Sequence, residues 1–277
     1  MRAAGAAGGN GQRLGAGWLA VGVAPTVLFL LFVGLPLVAL LVRGFGHDNF
    51  WASLTSETVL QALRLSLITS AITVGIVALV GTPMAYFLAR RQFPGRQLID
   101  GLIELPIVLP PVVAGLAMLM AFGRNSVIGE ALTSIGVELP FTMTAVVFAQ
   151  LFVGAPFFLR SAKLGFEAVD PALEEIAQTL GASPVRTFFR VSLPLASRAL
   201  AGGLVLCWAR AVAEFGATIM FAGNLPGRTQ TMPVAILGAL ESDLGEALAL
   251  SVVLVVMAVA VLLGVRVAIQ RGLGHVL

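Results

Sequence analysis

Six long apolar runs separated by short polar stretches set the pattern of this chain: Trp18 to Val42, Leu65 to Ala89, Leu105 to Phe122, Pro140 to Leu159, Ala199 to Phe221 and Leu248 to Val265. A helix crosses the hydrocarbon core with about 17–25 apolar residues. Each run is therefore predicted to be a transmembrane helix. The first carries no charge and is longer than the roughly 7–15 apolar residues of a cleavable signal, so it is read as a span. The third opens LPIVLPPVVAG, where Pro106, Pro110 and Pro111 must distort the helix ladder. Such a start is tolerated where protein or water satisfies the freed backbone. Residues 1–17 are rich in Gly and Ala and have no apolar period, which predicts a mobile tail before one transmembrane domain, 18–277.

The polar stretch between the fourth and fifth runs, 160–198, has a pattern of its own. Asp170 and Pro171 form an N-cap and first-turn pair. Leu173, Ile176, Ala177 and Leu180 then recur at helical spacing as one apolar stripe, with Glu174, Glu175, Gln178 and Thr179 facing elsewhere. Gly181 can stop this helix in a left-handed conformation. Ser183 and Pro184 repeat the cap signal, predicting a second short helix toward Leu193 and Pro194. Periodicity alone leaves two readings: a loop packed on its own spans, or a socket for a partner.

Composition places the chain outside the soluble class, at 58% hydrophobic, 11% charged and a mean hydropathy of +0.98. The lone Cys207 excludes an intramolecular disulfide, and His47 and His275 are too scattered for a metal cluster, so no metal site is expected. The basic balance speaks of topology and membrane lipid rather than nucleic acid. With both termini on one side, twelve of the seventeen basic residues fall on that side, including Arg90, Arg91, Arg96, Arg160, Lys163, Arg186, Arg190 and Arg198. The positive-inside rule then makes the termini and the 160–198 loop cytoplasmic. A phosphate-binding loop needs G-x-x-x-x-G-K followed by Ser or Thr. The only lysine, Lys163, is followed by Leu164, so the motif is excluded. No catalytic residue is assigned.

Glu175, Ala177, Gly181, Val191, Leu193 and Pro194 follow the spacing E-A-A, three residues, G, nine residues, I-x-L-P. This resembles the permease subunits of ATP-binding-cassette (ABC) importers, with Ile176 and Val191 as small apolar departures. The resemblance covers roughly Leu63 to Val265. GTPMAYFLARRQFPGR, ELPIVLPPVVAGLAML and the stretch Ala213 to Ile236 are similar to the oxyanion permeases, most of all to the molybdate/tungstate branch. It implies an all-α membrane protein with six transmembrane helices in the type I importer architecture and a cytoplasmic coupling helix. It also implies import of molybdate or tungstate across a bacterial inner membrane, with a sulfate/thiosulfate permease as the alternative. The implied partners are ATPase subunits that use ATP-Mg, an external oxyanion-binding protein and a second permease copy, a homodimer; no cofactor is bound by this chain. The residues this assigns to ATPase coupling are Glu174, Glu175, Ala177, Leu180, Gly181 and Ser183.

The fifth run holds Arg210 and Glu214, four residues apart and so on one helical face, with Thr218 extending that face and Asn224 near its end. Charges in a span are costly and usually face the bundle or a water-filled path. Two readings stand: a salt bridge that fixes packing, or a translocation path lined by Arg210, Glu214, Thr218 and Asn224. Thr218 can equally bond back to its own helix. A self-contained secondary transporter or channel is the alternative of another class. Paired broken spans with mid-membrane carboxylates would mark it, and Glu214 stands alone.

Overall fold

The computed structural model describes residues 16–273, and among them it is helical with no strand. In chain order the helices are α1 (Ala16–Phe45), α2 (Phe50–Leu54), α3 (Glu57–Ile76), α4 (Thr82–Arg90), α5 (Arg96–Val108), α6 (Pro111–Phe122) and α7 (Val127–Ser134). They continue with α8 (Met143–Glu167), α9 (Pro171–Thr179), α10 (Pro184–Thr187), α11 (Leu193–Val212), α12 (Gly216–Phe221), α13 (Met232–Ser242) and α14 (Leu244–Leu273). Two compact units divide at His47: the first holds α1, and the second everything from Asp48 onward. Most of the tail predicted over residues 1–17, and His275, lie outside the described residues.

Five segments are long and apolar enough to cross a membrane: Val21–Phe45, Glu57–Arg90, Met143–Glu167, Pro184–Val212 and Leu244–Gly264. Counted as one broken span, the pair α5 and α6, bent by 117°, makes a sixth. The third apolar run is thus not one helix. Leu109 and Pro110 both precede a proline, which drives them to extended ψ angles of 133° and 130°, and the helix breaks there. α5 also starts nine residues before the apolar run, as an amphipathic helix held to α8 by ion pairs. Lys163 Nζ lies 2.7 Å from Asp100, and Arg96 Nη2 lies 2.8 Å from Glu167.

The fifth run also differs from its prediction. Its span begins in the polar loop at Pro184 and ends at Val212, so Glu214 and Thr218 are not on it. Beginning so early, the 29-residue segment reaches about 43 Å at 1.5 Å per residue, already more than the hydrocarbon core. Nothing in the apolar pattern marks the stop, because α12 is as apolar as the helix before it.

Both composite spans contain a π-turn, Val77–Gly81 between α3 and α4 and Phe188–Ser192 between α10 and α11. Each is followed two residues later by a proline, Pro83 and Pro194. Proline withholds the amide that an α-helical ladder would use there. The wider turn takes up the mismatch: the Leu193 amide reaches back five residues to the Phe188 carbonyl.

The core lies where α8 and α11 run together against the second span. Phe158, Ala162, Phe166, Leu200 and Cys207 are buried there with Val77 and Ala85. Small residues permit the approach, as membrane helices require when packing must substitute for the hydrophobic effect. A Cβ on Gly203 would lie 2.9 Å from that of Ser161, and one on Gly81 would lie 3.0 Å from the Phe158 ring. Gly75 and Gly202 on the same spans face open space. A second contact joins α6 to α12, where a Cβ on Gly115 would sit 2.7 Å from Met220 Cβ and one on Gly216 would sit 3.0 Å from the Val112 amide nitrogen. α12 therefore covers the backbone that the α5–α6 break exposes.

Candidate coupling site and translocation residues

α9 is bounded by local chemistry at both ends. The Asp170 carboxylate accepts the Ala172 amide at 2.9 Å, with Pro171 in the first turn. At the other end Gly181 has φ 89°, and the Gly181 and Ala182 amides bond back to the Gln178 and Ala177 carbonyls at 2.9 and 3.0 Å. That is a Schellman cap, which needs a left-handed residue at Gly181. Ser183 then caps α10 by accepting the Arg186 amide at 3.3 Å. α9 and α10 form the helix–turn–helix that the pattern predicts, with α10 continuing into the fifth span.

The faces of α9 are the reverse of what amphipathicity suggests. Leu173, Ile176 and Leu180 are exposed, Leu180 by 82%, whereas Glu174 is buried at 7%. Glu175 is exposed and Ala177 half-buried. Glu174, assigned in the sequence to partner contact beside Glu175, faces its own chain instead. Its Oε1 accepts from Arg90 Nη2 at 2.8 Å, Arg90 Nε at 3.0 Å and Ser192 Oγ at 2.7 Å, and its Oε2 accepts from Tyr86 OH at 3.1 Å. Arg90 Nη2 also donates to the Val169 carbonyl at 2.9 Å. The Tyr86 ring stands edge-on to Phe166 and Phe188, with centroids 5.3 and 4.9 Å away. Burial alone would raise the Glu174 carboxyl. The hydrogen bonds from Arg90 and Ser192, with the Arg90 charge, outweigh it and hold the group below the ordinary Glu range.

Of the four residues predicted to line a path, the structure joins two. Arg210 Nη1 lies 2.7 Å from Glu214 Oε2, although Glu214 sits beyond the end of α11 rather than on it. Glu214 is 1% exposed, and its Oε1 accepts the Ala217 amide at 2.7 Å, tying the first turn of α12 to the pair. Thr218 is buried on α12 with its hydroxyl lacking a partner among the described residues, so it does not bond back to its own helix. Asn224 is apart from them, exposed on the following loop, where it accepts from Gln230 Nε2 at 2.8 Å.

A second polar group lies outside the residues expected from the sequence. Ser66, Thr69, Ser70 and Thr73 are all buried along one face of α3. Gln150 of α8 bridges two of them, donating to Thr69 Oγ1 at 3.1 Å and accepting from Thr73 Oγ1 at 3.0 Å. Ser66 Oγ accepts the first amide of α13, from Met232, at 2.8 Å. The spacing i, i+3, i+4, i+7 of four hydroxyl residues in an uncharged run was the available signal.

The arrangement of spans matches a solved bacterial ABC transporter involved in the import of the acidic polysaccharide alginate, with a TM-score of 0.73, over 91% of this chain and 95% of that one, at 18% identity. The fold is that of a type I ABC importer transmembrane subunit, an all-α permease. The family described as binding-protein-dependent transport system inner membrane component matches residues 81–273, and this chain belongs to it. Among curated relatives, the chain is 42% identical over 241 residues to the molybdenum transport system permease protein ModB of Mycobacterium tuberculosis, covering 87% of this chain and 91% of that protein. It is 37% identical to the sulfate transport system permease protein CysW of Synechococcus elongatus, over 75% of this chain and 74% of that protein.

Proposed function

We propose that this chain is the transmembrane permease subunit of an ATP-driven importer that carries molybdate, with tungstate as a second substrate of the same charge and shape. Separate ATPase subunits hydrolyse ATP-Mg, and a soluble binding protein delivers the anion to the outer face. Two copies of the chain form the pathway, and both termini lie in the cytoplasm. The observation that carries this reading is the outward apolar face of α9, Leu173, Ile176 and Leu180, held in place by a buried carboxylate. An apolar face on a capped helix, left exposed by its own chain, fits a groove on a partner. Molybdate is favoured over sulfate by the likeness to ModB, which is both closer and more extensive than that to CysW.

Two measurements test this. Ile176→Asp and Leu180→Asp place a charge on the outward face and should abolish co-purification of the ATPase subunit while leaving the permease folded. Capture unchanged by both would exclude α9 as the docking element. Uptake by liposomes carrying the full complex, with molybdate, tungstate and sulfate in competition, tests the cargo. Transport of sulfate alone would favour the sulfate reading.

A further inference from the structure

Glu174 joins elements that the sequence keeps far apart, one partner within a backbone irregularity and the others on the helix that follows the second. Tyr86 and Arg90 belong to α4, the part of the second span that follows the π-turn Val77–Gly81. Ser192 is the last residue of the π-turn Phe188–Ser192, where the fifth span begins. The Glu174 and Arg90 side chains are only 10% and 14% exposed, so water competes weakly for their bonds. π-turns inside α-helices are frequent at functional sites. Each of these also sits at a proline-imposed gap in the ladder, where a helix bends most readily.

We infer that Glu174 is the positioning residue that makes α9, α4 and the start of the fifth span move as one body. The inference rests on the importer reading. A load on Leu173, Ile176 and Leu180 would otherwise rock α9 about its two ends, Asp170 and Gly181, and be dissipated in the loop. With four bonds converging on Glu174, the load passes through Arg90 to α4 and through Ser192 to α11. The π-turns are then where the second and fifth spans flex. Tyr86, wedged between Phe166 and Phe188, extends the same body to the end of α8. Exposed Glu175 has no part in this junction, so adjacent carboxylates divide the work: one faces the partner and the other faces the spans.

The test uses the complete transporter in liposomes, with ATP hydrolysis and molybdate uptake measured in parallel. Glu174→Gln removes the charge, Arg90→Lys removes the forked geometry, and Tyr86→Phe removes one bond. Glu174→Gln and Arg90→Lys should keep the ATPase bound and hydrolysis within about twofold, while molybdate carried per ATP falls about tenfold, the scale of losing a bond to a charged group. Tyr86→Phe should show the same split at smaller amplitude and is the variant least exposed to misfolding. Uptake per ATP unchanged in Glu174→Gln overturns the inference. So does a parallel loss of hydrolysis, ATPase capture and folded protein in all three variants, since the junction would then be merely structural. Failure of the wild-type complex to take up molybdate, tungstate or sulfate would instead reject the importer reading itself.

Discussion

Glu214 is buried and ionisable, and it has two partners, the Arg210 guanidinium and the Ala217 amide. Removing one member of a buried pair leaves the other unpaired, at a cost of about 3–5 kcal/mol. Arg210→Leu should therefore lower the thermal stability of the detergent-solubilised permease sharply. Glu214→Gln should cost less, because it keeps an acceptor for Ala217 and leaves Arg210, 27% exposed, able to reach water. Arg210→Lys separates packing from path lining: it preserves the charge, so a strictly structural pair predicts near-normal molybdate uptake and a path-lining Arg predicts a loss. Glu174 offers a pH test. Its folded carboxyl lies below the ordinary value of about 4.3. The stability it contributes is thus fully present above that value and lost as the pH falls through the folded one. Thermal melts of wild type and Glu174→Gln should differ by a constant amount at neutral pH and converge only in acid below the ordinary Glu range. Convergence near pH 6 would contradict the depressed carboxyl.

At the scale of elements, α6 and α12 meet in a seam with no room for a methyl group. Gly115→Ala puts a methyl where Met220 and the Ala217 backbone already stand, within 2.7–2.8 Å, and backbone cannot yield as a flexible side chain can. Overpacking of this kind costs about 1–3 kcal/mol. The variant should melt earlier, and Gly75→Ala, which faces open space, should not. These seams also show what the chain discloses on its own. The ends of α9 are legible because Asp170, Pro171 and Gly181 act through the backbone a few residues away. Which face of α9 is buried is not legible, since it depends on Arg90, 84 residues earlier. The break at Pro110 and Pro111 is written in the prolines, but the 117° bend and the packing of α12 against it are not. Arg210 and Glu214 are a readable pair at i, i+4, whereas the end of α11 between them comes from how early that span starts. The hydroxyl stripe of α3 has a clear period in the sequence, but Gln150, which bridges it, lies 77 and 81 residues away along the chain.

For the whole molecule, the basic-residue count and the helix boundaries make one joint statement about sidedness. Between the α6–α7 turn at Asn125 and α9 the chain crosses once, through Met143–Glu167, and between α9 and the loop at Asn224 it crosses once more, through Pro184–Val212. α12, at six residues, is about 9 Å long and cannot add a crossing. Asn125 and Asn224 should therefore share the outer face and Gln178 of α9 the inner one, as the positive-inside rule independently requires. The native cysteine, Cys207, is buried between α8 and α11 and can be replaced by Ala to give a silent background. On that background, a membrane-impermeant maleimide applied to intact cells should label Asn125→Cys and Asn224→Cys. It should label Gln178→Cys only after the membrane is opened, all three positions being exposed. Labelling of Gln178→Cys in intact cells would invert the orientation and remove α9 from reach of any cytoplasmic ATPase. Labelling of Asn125→Cys without Asn224→Cys would mean that α12 joins a further crossing, and that the Arg210–Glu214 pair lies within a span rather than at its end.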